Sequence, residues 1–204
     1  MAKTLLKLVR EYRNQNFFAI DAIESTIGSR LVDFPTAISK VIGLLEGLTS
    51  NNSIFLIGNG GSTAIASESM NRFWKFCGLR AFSLNDPVMI TSTANDYGWG
   101  RVYQKPLGIF GRSGDILIAI SSSGKSKNIL NAVSLAKTMG LTVITLSGFK
   151  PDNPLRRMGD VNFYVPATVE YLVPSTAYRH TERAHLFILD CILDICLLKK
   201  EGKW

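Results

Sequence analysis

A chain of 204 residues, 46 % hydrophobic and 19 % charged, is able to bury a full core; this excludes a disordered protein, and no apolar run is long enough to span a bilayer. Three cysteines, Cys77, Cys191 and Cys196, are odd in number and show no CxxC spacing, which argues against a disulfide framework or a cysteine zinc site. The net charge of +7 is scattered, with one short cluster at Lys199, Lys200 and Lys203; it suits small anionic ligands at least as well as nucleic acid, and the expected compartment is the cytoplasm.

The first fifty residues repeat apolar positions at helical spacing: Leu5, Leu8, Val9 and Tyr12, then Ile38, Val41, Ile42 and Leu45. Gly28 and Pro35 interrupt the pattern, so two helices are predicted over residues 1–50, and no strand before Ser53. From there apolar runs alternate with helical stretches. The order is "SIFLIG", a helix from Ser62 to Phe76, "RAFSLN", helical matter to Tyr103, "DILIAIS", a helix from Lys125 to Met139, "LTVITLS", a helical turn near Leu155 and "VNFYVP". Runs rich in Ile, Val, Leu and Phe without polar alternation are strands buried on both faces, which predicts an α/β fold with a parallel sheet and helical crossovers. A last helix, Thr181 to Leu198, is apolar nearly all round, so the terminal helices are expected to pack against other subunits. No repeat or linker divides the chain, which reads as a single domain over 1–204 with its sheet-and-helix core over 51–204.

In open parallel sheets, ligands collect where strands end and helices begin. Two such turns are small and polar: "GNGGST", Gly58 to Thr63, and "SSSGKS", Ser121 to Ser126. The first reads either as a tight connection that needs glycines or as a binding turn; its G-x-G-G spacing does not fit a dinucleotide fingerprint. The second ends like a P-loop, but Ala119 stands where that motif requires glycine. Hydroxyls at Ser121, Ser122, Ser123 and Ser126 can do by side chain what a P-loop does by backbone, provided a helix begins directly after them. A nucleotide-binding enzyme is the weakest reading.

Taken together, "IGNGGSTAIAS", "TANDYGWGRVYQKPLGIFGRSGDILIAISSSGKSKNIL", "LTVITLSGF" and "ERAH" resemble, in order and spacing, the sugar isomerase (SIS) domain and within it the phosphoheptose isomerase family. The resemblance covers nearly the whole chain. It implies a three-layer fold, a five-stranded parallel sheet between helices, and a homotetramer with active sites shared between subunits. It also implies that "SSSGKS" holds a sugar phosphate, with hydroxyls from Ser121, Ser123 and Ser126 and the backbone amide of Ser122, and that Asn59, Gly60, Gly61, Ser62, Asn95 and Asp96 line the sugar. Lys125, where the family commonly has Asn, either adds charge near the phosphate or faces water.

Phosphoheptose isomerases move a proton between two carbons of a heptose phosphate, with a zinc ion ligated by His and Glu on the helix after GNGGS and by Gln and His on the last helix. Here those positions hold Glu68, Arg72, Glu182 and Asp190. Arginine stays charged, accepts no proton and repels a cation, so no zinc or other cofactor is predicted. Glu68 and Arg72, four apart on one helix, can pair; with Glu182 and Asp190 facing them across a subunit boundary, three carboxylates would surround one guanidinium. The alternative is an ordinary surface pair. A carboxylate raised in pKa by burial, Glu68 or Asp190, could still act as a base, and all four residues are catalytic candidates. His185, in "ERAH", matches a family histidine outside the metal set and reads more readily as structural. Two functions follow from the resemblance. One is a phosphosugar-binding ketose-aldose isomerase with a rebuilt acid-base set. The other is a non-catalytic regulatory or scaffold tetramer that binds a protein partner or senses a sugar phosphate, as in the family member that associates with a replication initiator.

Overall fold

Helices α1 (Ala2–Asp21) and α2 (Phe34–Glu46) lie either side of Gly28 as expected, in a computed structural model that describes residues 2–166 and 177–203. Pro35 starts α2 rather than breaking a helix: Asp33 accepts from the Thr36 amide at 2.7 Å, and proline sits in the first turn, where its missing N–H costs nothing. Between the helices runs a hairpin of β1 (Glu24–Ile27) and β2 (Arg30–Val32), which corrects the expectation of no strand before Ser53. Ile27 pairs with Arg30, leaving Gly28–Ser29 as a two-residue loop, and Gly28 takes φ 58°. Strands this short show no period of their own. The sheet holds them: β1 lies antiparallel to β7 (Val161–Pro166), and the Asn162 amide donates to Thr26 Oγ1 at 3.0 Å.

The remaining strands are β3 (Ile54–Gly58), β4 (Ala81–Ser83), β5 (Ile116–Ser121) and β6 (Thr142–Phe149), and the sheet runs β2-β1-β7-β6-β5-β3-β4. Its five strands from β7 to β4 are parallel, and the hairpin extends them to seven. Alternate residues serve opposite layers. Ile54, Leu56, Ile116, Ile118 and Ile120 pack with α2, α3 (Gly61–Arg72) and α7 (Tyr178–Lys200), whereas Phe55, Ile57, Leu117 and Ala119 pack with α5 (Gln104–Phe110) and α6 (Lys127–Thr138). Both faces are buried, so the strands read as continuous apolar runs, and each large side chain contributes about 1.5–3 kcal/mol by leaving water.

Helix α3 continues into one π-helical turn, Phe73–Cys77, which Gly78 stops at φ 71°. Helix α4 (Pro87–Tyr97) follows β4. Helix α7 begins three residues before the expected Thr181 and buries Ala184, Ile188, Leu189, Ile192 and Leu193 on the sheet layer. Helix α1 packs along α7 but leaves Leu5, Leu6, Val9, Phe17 and Phe18 exposed, a patch of the kind that marks an interface. Among the described residues no helix is long and apolar enough to cross a membrane.

Candidate functional site

Strand order reverses between β3 and β5. From β3 the chain passes through α3 to β4 at the sheet edge, and from β5 it passes through α6, on the opposite face, to β6. A crevice at the carboxyl ends of the strands is the geometric result. It forms a cavity of about 540 Å³ lined by Asn59 and Ser62 after β3, by Ser121, Ser122, Ser123 and Ser126 after β5, and by Phe149, Tyr178 and Glu182.

The turn after β3 is built for close approach. A Cβ on Gly58 would lie 2.6 Å from the Ser62 backbone, and Gly60 takes φ 54°. The Gly58 carbonyl accepts hydrogen bonds from the hydroxyls of Thr63 and Tyr103, and burial pushes the Tyr103 pKa up. Gly61 is bare for a different reason. A Cβ there would meet the Glu182 carboxylate oxygens at 2.5 and 2.6 Å, so this acid rests over the first turn of α3, where helix amides favour an anion.

The serine loop is shaped from beneath. Gly124 takes φ 61° and donates to the Ser121 carbonyl at 2.9 Å, while its own carbonyl accepts from Leu155 at 3.2 Å. A Cβ at Gly124 would fall 1.9 Å from Oδ1 of the buried Asn153, whose amide donates to the Lys150 and Gly148 carbonyls at 2.8 and 3.2 Å. Gly124→Ala is therefore expected to cost about 2 kcal/mol or more, from left-handed strain plus the clash, lowering the melting temperature by several degrees; an unchanged melting curve would contradict this packing. Ser126 stands at the N-cap of α6 without a side-chain cap bond, its hydroxyl 3.4 Å from that of Ser121. Both hydroxyls and the first amides of α6 are thus available to an anion. The side chain of Lys125 is exposed, and its backbone N–H donates to Ser123 Oγ at 3.3 Å.

Two features that shape the cavity's surroundings escaped the sequence reading. Asn128 exchanges amide hydrogen bonds with Asn59, at 3.0 and 2.8 Å, and so ties the turn after β3 to α6. Phe149, ending β6, has φ 62°, the one positive value among the described non-glycine residues. For a bulky side chain that is strain of about 1–3 kcal/mol held at the cavity wall.

The other expected residues divide. Asn95 and Asp96 are exposed on the last turn of α4, with the Asn95 amide donating to Asp96 at 2.9 Å, and they do not line this cavity within one chain. Arg72 donates through Nη1 to Asp190 and through Nη2 to Asp194 at 2.8 Å, with Nε 3.8 Å from Glu68. The cluster of three carboxylates around a guanidinium exists, but inside one chain, and its third acid is Asp194 in place of Glu182. Zinc does not fit these residues, because a guanidinium sits among the acids, and no described group of three His, Cys, Asp or Glu could hold a metal. His185 is fully buried with Nε2 3.0 Å from the Ser147 carbonyl, and burial pushes its pKa down to about 4. It is neutral, donates to that carbonyl, and fastens α7 to β6.

A sequence profile of the SIS domain matches residues 36–148. The DnaA initiator-associating protein DiaA of Pectobacterium carotovorum is 33 % identical over 168 residues, covering 79 % of this chain and 83 % of the relative. Phosphoheptose isomerase from Francisella tularensis superposes with a TM-score of 0.72 at 23 % identity, over 96 % of this chain and 97 % of that one. The phosphoheptose isomerase GmhA from Neisseria gonorrhoeae gives 0.70 at 24 % identity, over 96 % of each chain. At such identities the two structures share the fold.

Proposed function

The chain belongs to the SIS domain family, and we propose that within it this protein is a sugar-phosphate-binding tetramer that acts through a protein partner and not as a phosphoheptose isomerase. The observation that carries this reading is Arg72, engaged by Asp190, Asp194 and Glu68 where the family resemblance calls for zinc ligands. Proton transfer of the phosphoheptose isomerase type uses a metal as its electrophile, and a guanidinium set among these acids repels a cation from that place. The phosphate-binding half is intact in its logic: hydroxyls at Ser121 and Ser126 beside the amino end of α6. The exposed apolar residues of α1 support assembly with further copies, and the likeness to an initiator-associating protein makes the replication initiator of the same cell the first partner to test.

Binding of the purified chain to that initiator, followed by biolayer interferometry, tests the partner, and a coupled assay with sedoheptulose 7-phosphate tests the missing activity. Brisk turnover that ignores chelators would replace this reading with a metal-free isomerase. The sugar-phosphate site has its own check. Ser121→Ala combined with Ser123→Ala removes two charge-assisted hydrogen bonds, worth together about 3 kcal/mol, so calorimetry is expected to show binding about 100-fold weaker than wild type. Equal affinity would remove the serine loop from the site.

A further inference from the structure

We propose that the cavity beside the serine loop selects a phosphorylated amino sugar, whose protonated amine pairs with the carboxylate of Glu182. The inference rests on the sugar-phosphate reading above and names the ligand class of that same site. Among the described residues that line the cavity, Glu182 is the one charged side chain, and the rest offer hydroxyls, amides and apolar walls. Its carboxylate lies against Gly61 at the amino end of α3, whereas the phosphate-holding hydroxyls stand at the amino end of α6, so acid and phosphate loop belong to different helices of one crevice.

Among the described residues the acid has no close ion-pair partner. Arg179 and Arg183, its neighbours on α7, are turned elsewhere: the first lies over the Tyr178 ring at 5.9 Å, the second over the Tyr12 ring at 5.4 Å with a hydrogen bond to Asn16 at 3.3 Å. Neither forms an ion pair with Glu182. Burial pushes the Glu182 pKa up, against the weaker pull of both arginines, as expected of a carboxylate whose charge is incompletely met. The helix amides beneath it supply only a partial countercharge.

A neutral sugar phosphate would bring a second anion into this cavity and no cation. An amino sugar phosphate brings both. Its phosphate takes the serine loop, and an ammonium on a carbon remote from the phosphate meets Glu182 as a charge-assisted hydrogen bond. Glutamine at this position would accept hydrogen bonds from sugar hydroxyls equally well. What glutamate adds is charge, so charge is the ligand property it can discriminate.

Calorimetry at pH 7 on the full chain, with glucosamine 6-phosphate, N-acetylglucosamine 6-phosphate and glucose 6-phosphate, tests the proposal. Wild type is expected to bind glucosamine 6-phosphate at least tenfold more tightly than either analogue that lacks the ammonium. Glu182→Gln is expected to shrink that preference below twofold, chiefly by weakening the amino sugar. Equal affinity of wild type for all three, or a preference that survives in Glu182→Gln, overturns the amine pairing and leaves the sugar-phosphate reading standing. Binding of none of them overturns both. The comparison of the three ligands on wild type decides the matter even if the variant folds poorly.

Discussion

Taking the protein from pH 7 to pH 4 is expected to remove about 3 kcal/mol of stability through His185 alone. Its imidazole lies fully buried on α7 with Nε2 3.0 Å from the Ser147 carbonyl, and burial sets its pKa near 4 against 6.5 for a free histidine. Below pH 6.5 the unfolded chain takes up a proton that the folded chain refuses. The unfolded state then binds more protons, so stability falls as pH drops through this window and the loss is complete below about 4. The gap between the two values sets the size, about 3 kcal/mol. His180, whose pKa is also lowered by burial, works in the same direction, while Glu182, whose pKa is raised, works against it. Urea titrations at pH 7, 5.5 and 4 on wild type and His185→Gln check this. Glutamine can still donate to the Ser147 carbonyl but does not titrate, so the variant should start less stable at pH 7 and lose less on acidification. Parallel pH profiles would show that the imidazole is not held as described.

The strands that build the site were readable because burial on both faces leaves no choice of residue: Ile54 to Ile57 and Ile116 to Ile120 are apolar at every position. The two turns were readable because their glycines and serines meet local demands of backbone and anion. The hairpin was not, since its inner strand β1 leans on β7 and on Asn162, partners more than a hundred positions away. Asn128 escaped for the same reason, its partner Asn59 lying 69 residues back.

The acid cluster shows what counting along helices can and cannot deliver. Spacing placed Glu182 and Asp190 on one helix, about 12 Å apart along its axis, so the alignment of that helix with α3 decides which of them reaches Arg72. Within one chain, α3 runs beside α7 so that Gly61 meets Glu182 at one end while Arg72 meets Asp190 two turns further along. Glu182 therefore joins the cavity, and Asp194, one turn beyond Asp190, takes its place beside the guanidinium. The identity of the residues was legible. Their division between two places depended on how the two helices are aligned, which no single sequence segment records.

Reversing the charge at position 72 is expected to convert the ion cluster into a cation-dependent element. The guanidinium side chain is 21 % exposed, and its partners are more so, 51 % for Glu68, 40 % for Asp190 and 66 % for Asp194, so each pair by itself is worth no more than about 1 kcal/mol. Arg72→Met, which only removes the pairs, should therefore be mild. Arg72→Glu differs in kind, because it sets a fourth carboxylate among three with no countercharge. Mutual repulsion at these separations, moderated by solvent, sums to about 3 kcal/mol at low ionic strength, or roughly 6–12 °C in melting temperature for a chain of this size. The same four carboxylates offer a hard cation the oxygen ligands it prefers. Millimolar calcium should then restore most of the lost melting temperature in Arg72→Glu and leave wild type and Arg72→Met unmoved. A variant as stable as wild type at low salt, or calcium acting alike on all three proteins, would show that Arg72 does not hold these acids together.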